Sequence, residues 1–334
     1  MMHRVGVALY PGFSFVNLGV VSVFEFANLS LAERRYEVQL LSETGGLVAS
    51  SAGVEVNTAA FDDSVLDTVI AVGDNDAAAP APALVAFLKQ AATRSRRICA
   101  TCTGAFYLAQ AGLVHGKRVT THWFHAARLR KEYPAVRVEE DSIFVNDGAI
   151  WTSAGATACI DLALAFVEQD AGADMARLVA KKLVVYHRRA GGQTQHSALL
   201  DLLPRSDRIQ KALAYARQHL HTGLSVEALA SAANLSPRQF SRAFHEETGS
   251  TPAKAIEQIR TETARLMLES GRHSIETIAR DVGFGDPDRM RRAFLRAYGQ
   301  PPQVIRRATR SAPVLSRGRQ SPEVAVELAE SAAG

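Results

Sequence analysis

The chain has 334 residues, 47% of them hydrophobic, and a formal net charge of +4, which makes two domains with packed cores the natural expectation. Its three cysteines exclude a disulfide framework and fit a reducing cytoplasm. No apolar run is long enough to span a membrane, and MMHRVGVALYPGF lacks an apolar stretch followed by a small-residue cleavage site, so neither a membrane helix nor a signal peptide is expected.

In chain order, Val5–Leu9 reads as a buried strand ending in Tyr10-Pro11-Gly12, and Val20–Leu31 as a helix. Further strands are predicted at Tyr36–Ser42, Val69–Val72, Arg97–Ala100 and Val119–Thr121. Helices are predicted at Ala81–Thr93, from Gly104 through Ala111, and at Thr157–Gln169. Ser142–Val145 and Ala149–Ser153 read as a hairpin around Asn146-Asp147-Gly148, a type I′ pattern. The alternation over residues 1–188 predicts an α/β domain with a parallel sheet and helices on both faces. Ligands of such sheets bind at the carboxyl ends of the strands.

Three loops meet at that end. The strand Ile98-Cys99-Ala100 runs through Cys102 and Thr103 into a helix, the strand–nucleophile–helix form of an elbow. A thiol at a helix N-terminus is expected to have a lowered pKa. Thr120-Thr121-His122-Trp123 follows another strand and is placed to bring an imidazole beside Cys102. Gly73-Asp74, after a third strand, offers backbone N–H groups. Cys99 and Cys159 read as core. No His/Cys/Asp cluster has metal spacing, and no metal or cofactor is expected. The run Arg188–Gln193 has Gly191-Gly192 as a hinge and opens a linker over 189–206.

The last third repeats itself. Ser225-Val226-Glu227 through Pro252 matches Ser274-Ile275-Glu276 through Pro302, and each copy reads as helix, turn, helix. In the first copy Asn234-Leu235 turns the chain, and Ser236, Pro237 and Gln239 form a capping-box start. In the second, Gly283-Phe284-Gly285 turns it, and Asp286 caps before Pro287. Phe240/Phe244 and Met290/Phe294 are the predicted buried stripes, with Leu235 and Phe284 turned inward. The exposed faces carry Arg238, Ser241, Arg242 and His245 in one copy and Asp288, Arg291 and Arg292 in the other, residues suited to reading base edges or gripping phosphates. Ala253–Ser270 reads as a connecting helix, with Ala255, Ile259, Ala264, Leu266 and Met267 on its apolar side. Its length of about 27 Å is close to the roughly 34 Å between successive major-groove faces. Residues 205–310 hold 18 Lys and Arg against 11 Asp and Glu, a net of +7, so the remainder of this +4 chain is mildly acidic. That asymmetry is the footprint of a DNA-binding module joined to something else. Residues 310–334, rich in Ser, Ala, Arg and Glu, read as a disordered tail.

Two resemblances follow from these motifs. The repeat, over about 207–309, resembles the DNA-binding domain of AraC-type transcription regulators, carried by GFGDPDRMRRAFLRAYGQPP. The resemblance implies base or backbone contacts from Arg238, Ser241, Arg242, Asp288, Arg291 and Arg292. Residues 1–188 resemble the PfpI/ThiJ-type, glutamine-amidotransferase-like domain, a flavodoxin-like sandwich, through ICATCTGAFYLAQAGLV (98–114), TTHW (120–123) and TSAGATACIDLALAFVE (152–168). The combination is that of GlxA-type regulators, which also carry a stretch like HRRAGGQTQHS (187–197). It implies a homodimeric regulator that senses a small nitrogen-containing metabolite and binds double-stranded promoter DNA. In catalytic relatives a carboxylate near the first loop bonds the elbow cysteine. Asn17 stands at that place, and an amide accepts no proton. Asn17, Gly73, Asp74, Cys102, Thr103, His122 and Trp123 are therefore expected to line a binding pocket rather than a catalytic centre. The alternative is a cysteine hydrolase or hydratase for an amide- or isonitrile-like substrate.

Overall fold

The computed structural model describes residues 2–310 apart from 80, 187, 190, 196–201, 203 and 270–272. The expected tail from 311 onward lies outside the described residues. The chain divides into two compact units, Met1–His196 and Ser197–Gly334.

The strands of the first unit are β1 (His3–Ala8), β2 (Tyr36–Ser42), β3 (Gly46–Ala49), β4 (Glu55–Ala60), β5 (Thr68–Val72), β6 (Arg97–Thr101), β7 (Arg118–Val119), β8 (Arg137–Val138), β9 (Phe144–Asp147) and β10 (Ile150–Ser153). Eight form one sheet in the order β3-β4-β2-β1-β5-β6-β10-β9, parallel except where β3 meets β4 and β9 meets β10. The central strands TVIAV and RICAT are buried at every residue, as strands covered by helices on both faces must be. Alternate residues feed two cores. Val5, Val7, Ile70, Val72 and Cys99 pack against α1 (Gly19–Asn28), α5 (Ala158–Ala171) and α6 (Ala173–Lys182). Val69, Ala71, Ile98 and Ala100 pack against α2 (Pro82–Ala92) and α3 (Gly104–Gln110).

Three sequence expectations are corrected here. The strand predicted at Val119–Thr121 is only Arg118–Val119, and it pairs with β8 in a separate ribbon. The hairpin closes one residue later than predicted, at Gly148-Ala149. Only Gly148 takes a positive φ (69°), so the turn is not type I′, which needs two such residues. Asp147 stays in the strand because its carboxylate accepts from the Arg118 N–H at 3.0 Å and from Lys117 at 3.2 Å. The first domain does not end at 188. Gly191 and Gln193 offer their carbonyls to the N–H groups of Phe144 and Ile143, at 3.1 and 2.9 Å, which extends the sheet edge into the predicted linker.

The second unit is helical. A core of Ile209, Leu213, Phe240, Phe244, Ile256 and Ile259 joins α7 (Asp207–Gln218), α8 (Val226–Ala232), α9 (Pro237–Thr248) and the first half of α10 (Pro252–Glu269). A second core of Ala264, Leu268, Ile278, Met290 and Phe294 joins the other half of α10 to α11 (Ile275–Asp281) and α12 (Pro287–Tyr298), with Ile305 of α13 (Pro302–Arg310) beside it. Because α10 serves two cores in turn, its buried stripe shifts along its length. Leu266, predicted to be buried, is 36% exposed.

Candidate effector pocket and candidate nucleic-acid interface

β6 ends at Thr101 and α3 starts at Gly104, so Cys102 and Thr103 form the turn between them. Cys102 has φ 54°, a left-handed backbone seldom taken by a residue with a side chain. Its N–H donates to Ser153 O at 3.0 Å. Gly155 (φ 79°) lies so close that a Cβ on it would stand 2.2 Å from the Cβ of Cys102. The elbow read from ICATCTG is therefore present.

Its thiol is not the activated one expected. Cys102 is buried, and burial pushes its pKa up to about 11, with the Thr103 N–H offsetting this only in part. The dipole of the seven-residue α3 does not overcome that desolvation. Sγ donates to the Asp74 carbonyl at 3.8 Å, and among the described residues no carboxylate or imidazole accepts from it.

Asp74 follows Gly73, whose carbonyl accepts from Ser14 N–H at 2.9 Å. The buried Asp74 carboxylate faces its own loop: it accepts from the N–H groups of Asp76, Ala77 and Ala78 at 3.2, 2.6 and 2.9 Å and from the Thr103 hydroxyl at 2.9 Å. It organises its own loop, with three of these donors on Oδ1 and one on Oδ2. The hydroxyls of Tyr10 and Tyr107 bond to each other nearby, with Asp74 within their electrostatic reach.

Asn17 lies in a 3₁₀ turn, Phe15–Leu18, and is completely buried. Among the described residues neither its amide oxygen nor its amide nitrogen has a hydrogen-bond partner, and the same holds for the buried hydroxyl of Thr101.

In the TTHW loop, His122 caps α4 (Trp123–Glu132), its Nδ1 accepting from the Phe124 N–H at 3.4 Å. Trp123 is 45% exposed. The residue of this loop that reaches the elbow backbone is Thr121, whose hydroxyl donates to the Cys102 carbonyl at 2.8 Å. Thr121 was not singled out in the sequence, because a threonine carries no chemistry that spacing alone can flag. His125, likewise unflagged, is buried with Nε2 3.1 Å from the Asn75 carbonyl.

Gln195 ties down the loop that carries Thr121 and Trp123. Its Nε2 donates to the carbonyls of Thr121 and Glu140 at 2.8 and 3.0 Å, and its Oε1 accepts from Trp123 N–H at 2.8 Å. Arg189 donates through N and Nε to the Asp161 carboxylate, both at 2.8 Å. The run read as a hinge or solvated linker is thus a strap pinned along the first unit. His187, Ala190, His196 and Ser197 of that run lie outside the described residues.

In the second unit, Asn234 takes φ 53° at the first turn. Ser236 and Gln239 form the capping box that starts α9. Arg238, Arg242 and His245 are exposed along one stripe, opposite Phe240 and Phe244, with Ser241 half-buried beside them. In α12, Asp286 accepts from the Asp288 N–H at 2.9 Å, and Asp288, Arg291 and Arg292 are exposed. The turn before it needs glycine: Gly283 has φ 82°, and a Cβ there would lie 1.8 Å from the Leu220 carbonyl oxygen. Arg292 also joins Arg289 and Arg296 on the wall of a cleft of about 420 Å³ between the two repeats, with Arg260 and Glu257 across from them. Arg289 and Arg296 were not singled out in the sequence, although their spacing of three and four from Arg292 places all three on one helix side.

Residues 15–169 match the DJ-1/PfpI family, and residues 229–308 match a helix-turn-helix domain family. The chain is 29% identical over 326 residues to the HTH-type transcriptional regulator GlxA of Rhizobium meliloti, covering 93% of this chain and 97% of that one. It is 30% identical over 240 residues to the HTH-type transcriptional regulator ArgR of Pseudomonas aeruginosa, covering 72% and 73%. It is also 34% identical over 140 residues to an isonitrile hydratase of Pseudomonas putida, covering 41% and 60%. No helix among the described residues is long and apolar enough to cross a membrane. With a DJ-1/PfpI domain followed by two helix-turn-helix motifs, and likeness to regulators along most of its length, the chain belongs to the HTH-type transcriptional regulators of this two-domain, AraC-related kind and is a DNA-binding transcription regulator.

Proposed function

We propose that the elbow region of the first unit is a non-catalytic effector site, and that a small nitrogen-containing metabolite bound there alters promoter binding by the second unit. The observation that carries this reading is the state of Cys102: a buried, protonated thiol with a backbone carbonyl as its partner and with Asn17 where a proton-accepting carboxylate is needed. A nucleophile requires a base within hydrogen-bond reach. Asn17, Gly73, Asp74, Cys102, Thr103, His122 and Trp123 surround the site, with Asp74 holding the loop rather than the ligand. Arg238, Ser241, Arg242, His245, Asp288, Arg291 and Arg292 face DNA. The working form is a cytoplasmic homodimer, so that one promoter receives four helix-turn-helix motifs.

An effector acts only through its differential affinity for two arrangements of the protein. The test is promoter binding by the full chain with and without candidate effectors, for wild type and Cys102→Ala. Effector-dependent binding that survives Cys102→Ala supports a sensor. The similarity to isonitrile hydratase favours a second reading, a hydratase or hydrolase tethered to DNA. Turnover of an isonitrile or amide that Cys102→Ala abolishes would establish that reading instead.

A further inference from the structure

The two copies of the repeat share a left-handed turn but occupy it differently. In the first copy Asn234 takes φ 53° and is exposed; at the matching place in the second, Gly283 takes φ 82° and is half-buried. Asparagine tolerates such a backbone, so φ alone does not call for glycine in the second copy. Close contact does. A Cβ on Gly283 would stand 1.8 Å from the Leu220 carbonyl oxygen and 2.8 Å from Nη2 of Arg260. The turn of the second motif thus rests directly on the loop between α7 and α8, whose Leu220 and Leu224 pack on the core of the first motif.

Arg260 completes the junction. It lies on α10, and its Nη2 donates to the carbonyls of Leu220 and Thr222 at 3.1 and 2.7 Å. Both carbonyls sit just past the end of α7, where the helix dipole favours a cation. Burial lowers the pKa of Arg260, and among the described residues no carboxylate offsets that. Main-chain acceptors, not an ion pair, hold this guanidinium. One turn earlier on α10, Glu257 accepts from Nε and Nη2 of Arg296 on α12, at 3.2 and 2.8 Å. Residues three apart share a helix face. One side of α10 therefore reaches the α7–α8 loop through Arg260 and the second recognition helix through Glu257. Both residues line the cleft between the repeats, together with Phe284 and Arg296.

We propose that Arg260, Gly283 and Glu257 are positioning residues for DNA recognition: they lock the second helix-turn-helix motif against the first, so that the chain accepts one separation between its two half-sites. This rests on the reading that both motifs face one duplex. One added base pair turns the second half-site by about 34° and shifts it by about 3.4 Å. A motif free to rock on α10 follows such a change, and a braced one does not.

The probe is the duplex that the wild-type full chain selects from random-sequence DNA, whose two preferred blocks mark the half-sites. Affinity is measured by fluorescence anisotropy at one salt concentration. The targets are that duplex, versions with one base pair added or removed between the blocks, and a version with one block scrambled. The readout is the ratio of affinity at native spacing to affinity at altered spacing. Wild type is expected to lose about tenfold or more on either change. Arg260→Met, Gly283→Asn and Glu257→Ala should each cut that ratio to about threefold or less, and Asn234→Gly should leave it as in wild type. Partial unfolding or loss of a phosphate contact weakens both spacings alike and leaves the ratio intact. An unchanged ratio in the variants that fold therefore overturns the proposal, and so does a wild type indifferent to spacing. Should Arg260→Met and Gly283→Asn not fold, Glu257→Ala decides, because it changes a side chain that is 43% exposed. The scrambled block judges the underlying reading separately: if scrambling either block costs nothing, only one motif engages DNA, and that reading falls together with the proposal.

Discussion

Gln195 donates its side-chain amide to the carbonyl of Thr121 at 2.8 Å, and Thr121 passes the connection on through its hydroxyl to the carbonyl of Cys102, also at 2.8 Å. Two hydrogen bonds thus link the strap at the end of the first unit to the turn that forms the elbow. Gln195 lies next to the last residue of the first unit.

Replacing Gln195 by Leu removes the donor to the buried Thr121 carbonyl and the acceptor for Trp123 N–H. The expected cost is about 1–3 kcal/mol. Amide hydrogen exchange should quicken at Trp123 and over residues 191–195, while β5 and β6, which are buried on both faces, stay protected. Unchanged exchange at Trp123 would show that the strap does not hold this loop.

Cys102 should be slow to alkylate at neutral pH, with a rate that climbs until about pH 11. The same burial sets a stability trend. The unfolded thiol loses its proton near pH 8.5 and the folded one near 11, so the unfolded state binds fewer protons between those values and stability falls as pH rises through that window. Below about pH 8.5 the contribution is fully present. Cys102→Ala should flatten this part of the curve, measured by denaturant midpoints across alkaline pH. Cys99 and Cys159 are also buried thiols with raised pKa, so the comparison is made against wild type rather than against a flat line.

Gly155→Ala drives a methyl group into Cys102 and forces a side chain onto a φ of 79°. A loss of about 2–5 kcal/mol is expected. Gly12→Ala is the control: φ is 88°, but nothing lies within 4 Å, so only backbone strain of about 1 kcal/mol remains. Equal losses for the two variants would show that the elbow is not tightly packed.

On DNA, Arg242→Ala is expected to cost about 1–3 kcal/mol and to relax preference at one base position. Arg289→Ala and Arg296→Ala, which remove charge from the cleft between the repeats, should weaken all sequences alike and lower the salt slope by about one each. Arg296 also bonds Glu257 through two contacts at 2.8 and 3.2 Å, so Glu257→Gln tests whether that pair tethers it away from phosphate. Fluorescence anisotropy at several salt concentrations separates the two behaviours.

Periodicity, caps and the repeat were local properties, and the sequence by itself determined them. The runs TVIAV and RICAT, the Ser236–Gln239 capping box, the Asp286 cap and the paired Phe240/Phe244 and Met290/Phe294 stripes each depend on residues within a few positions, where propensity and burial act together. The edge strand Gly46–Ala49 and its neighbour Glu55–Ala60 went unread because exposed strands carry little alternation. Helix Asp207–Gln218 went unread although Ser206 caps it in the ordinary way.

Tertiary structure alone decided the electrostatic character of the site. A helix N-terminus predicted an activated Cys102, yet the thiol is raised because desolvation depends on what packs above it, and that includes Gly155, fifty-three positions away. Asp74 read as a donor of backbone N–H groups to a ligand, but its carboxylate is spent on its own loop and on Thr103. Gln195 read as linker but is locked to Thr121. Burial and pairing are set by residues distant in the chain, so no local pattern encodes them.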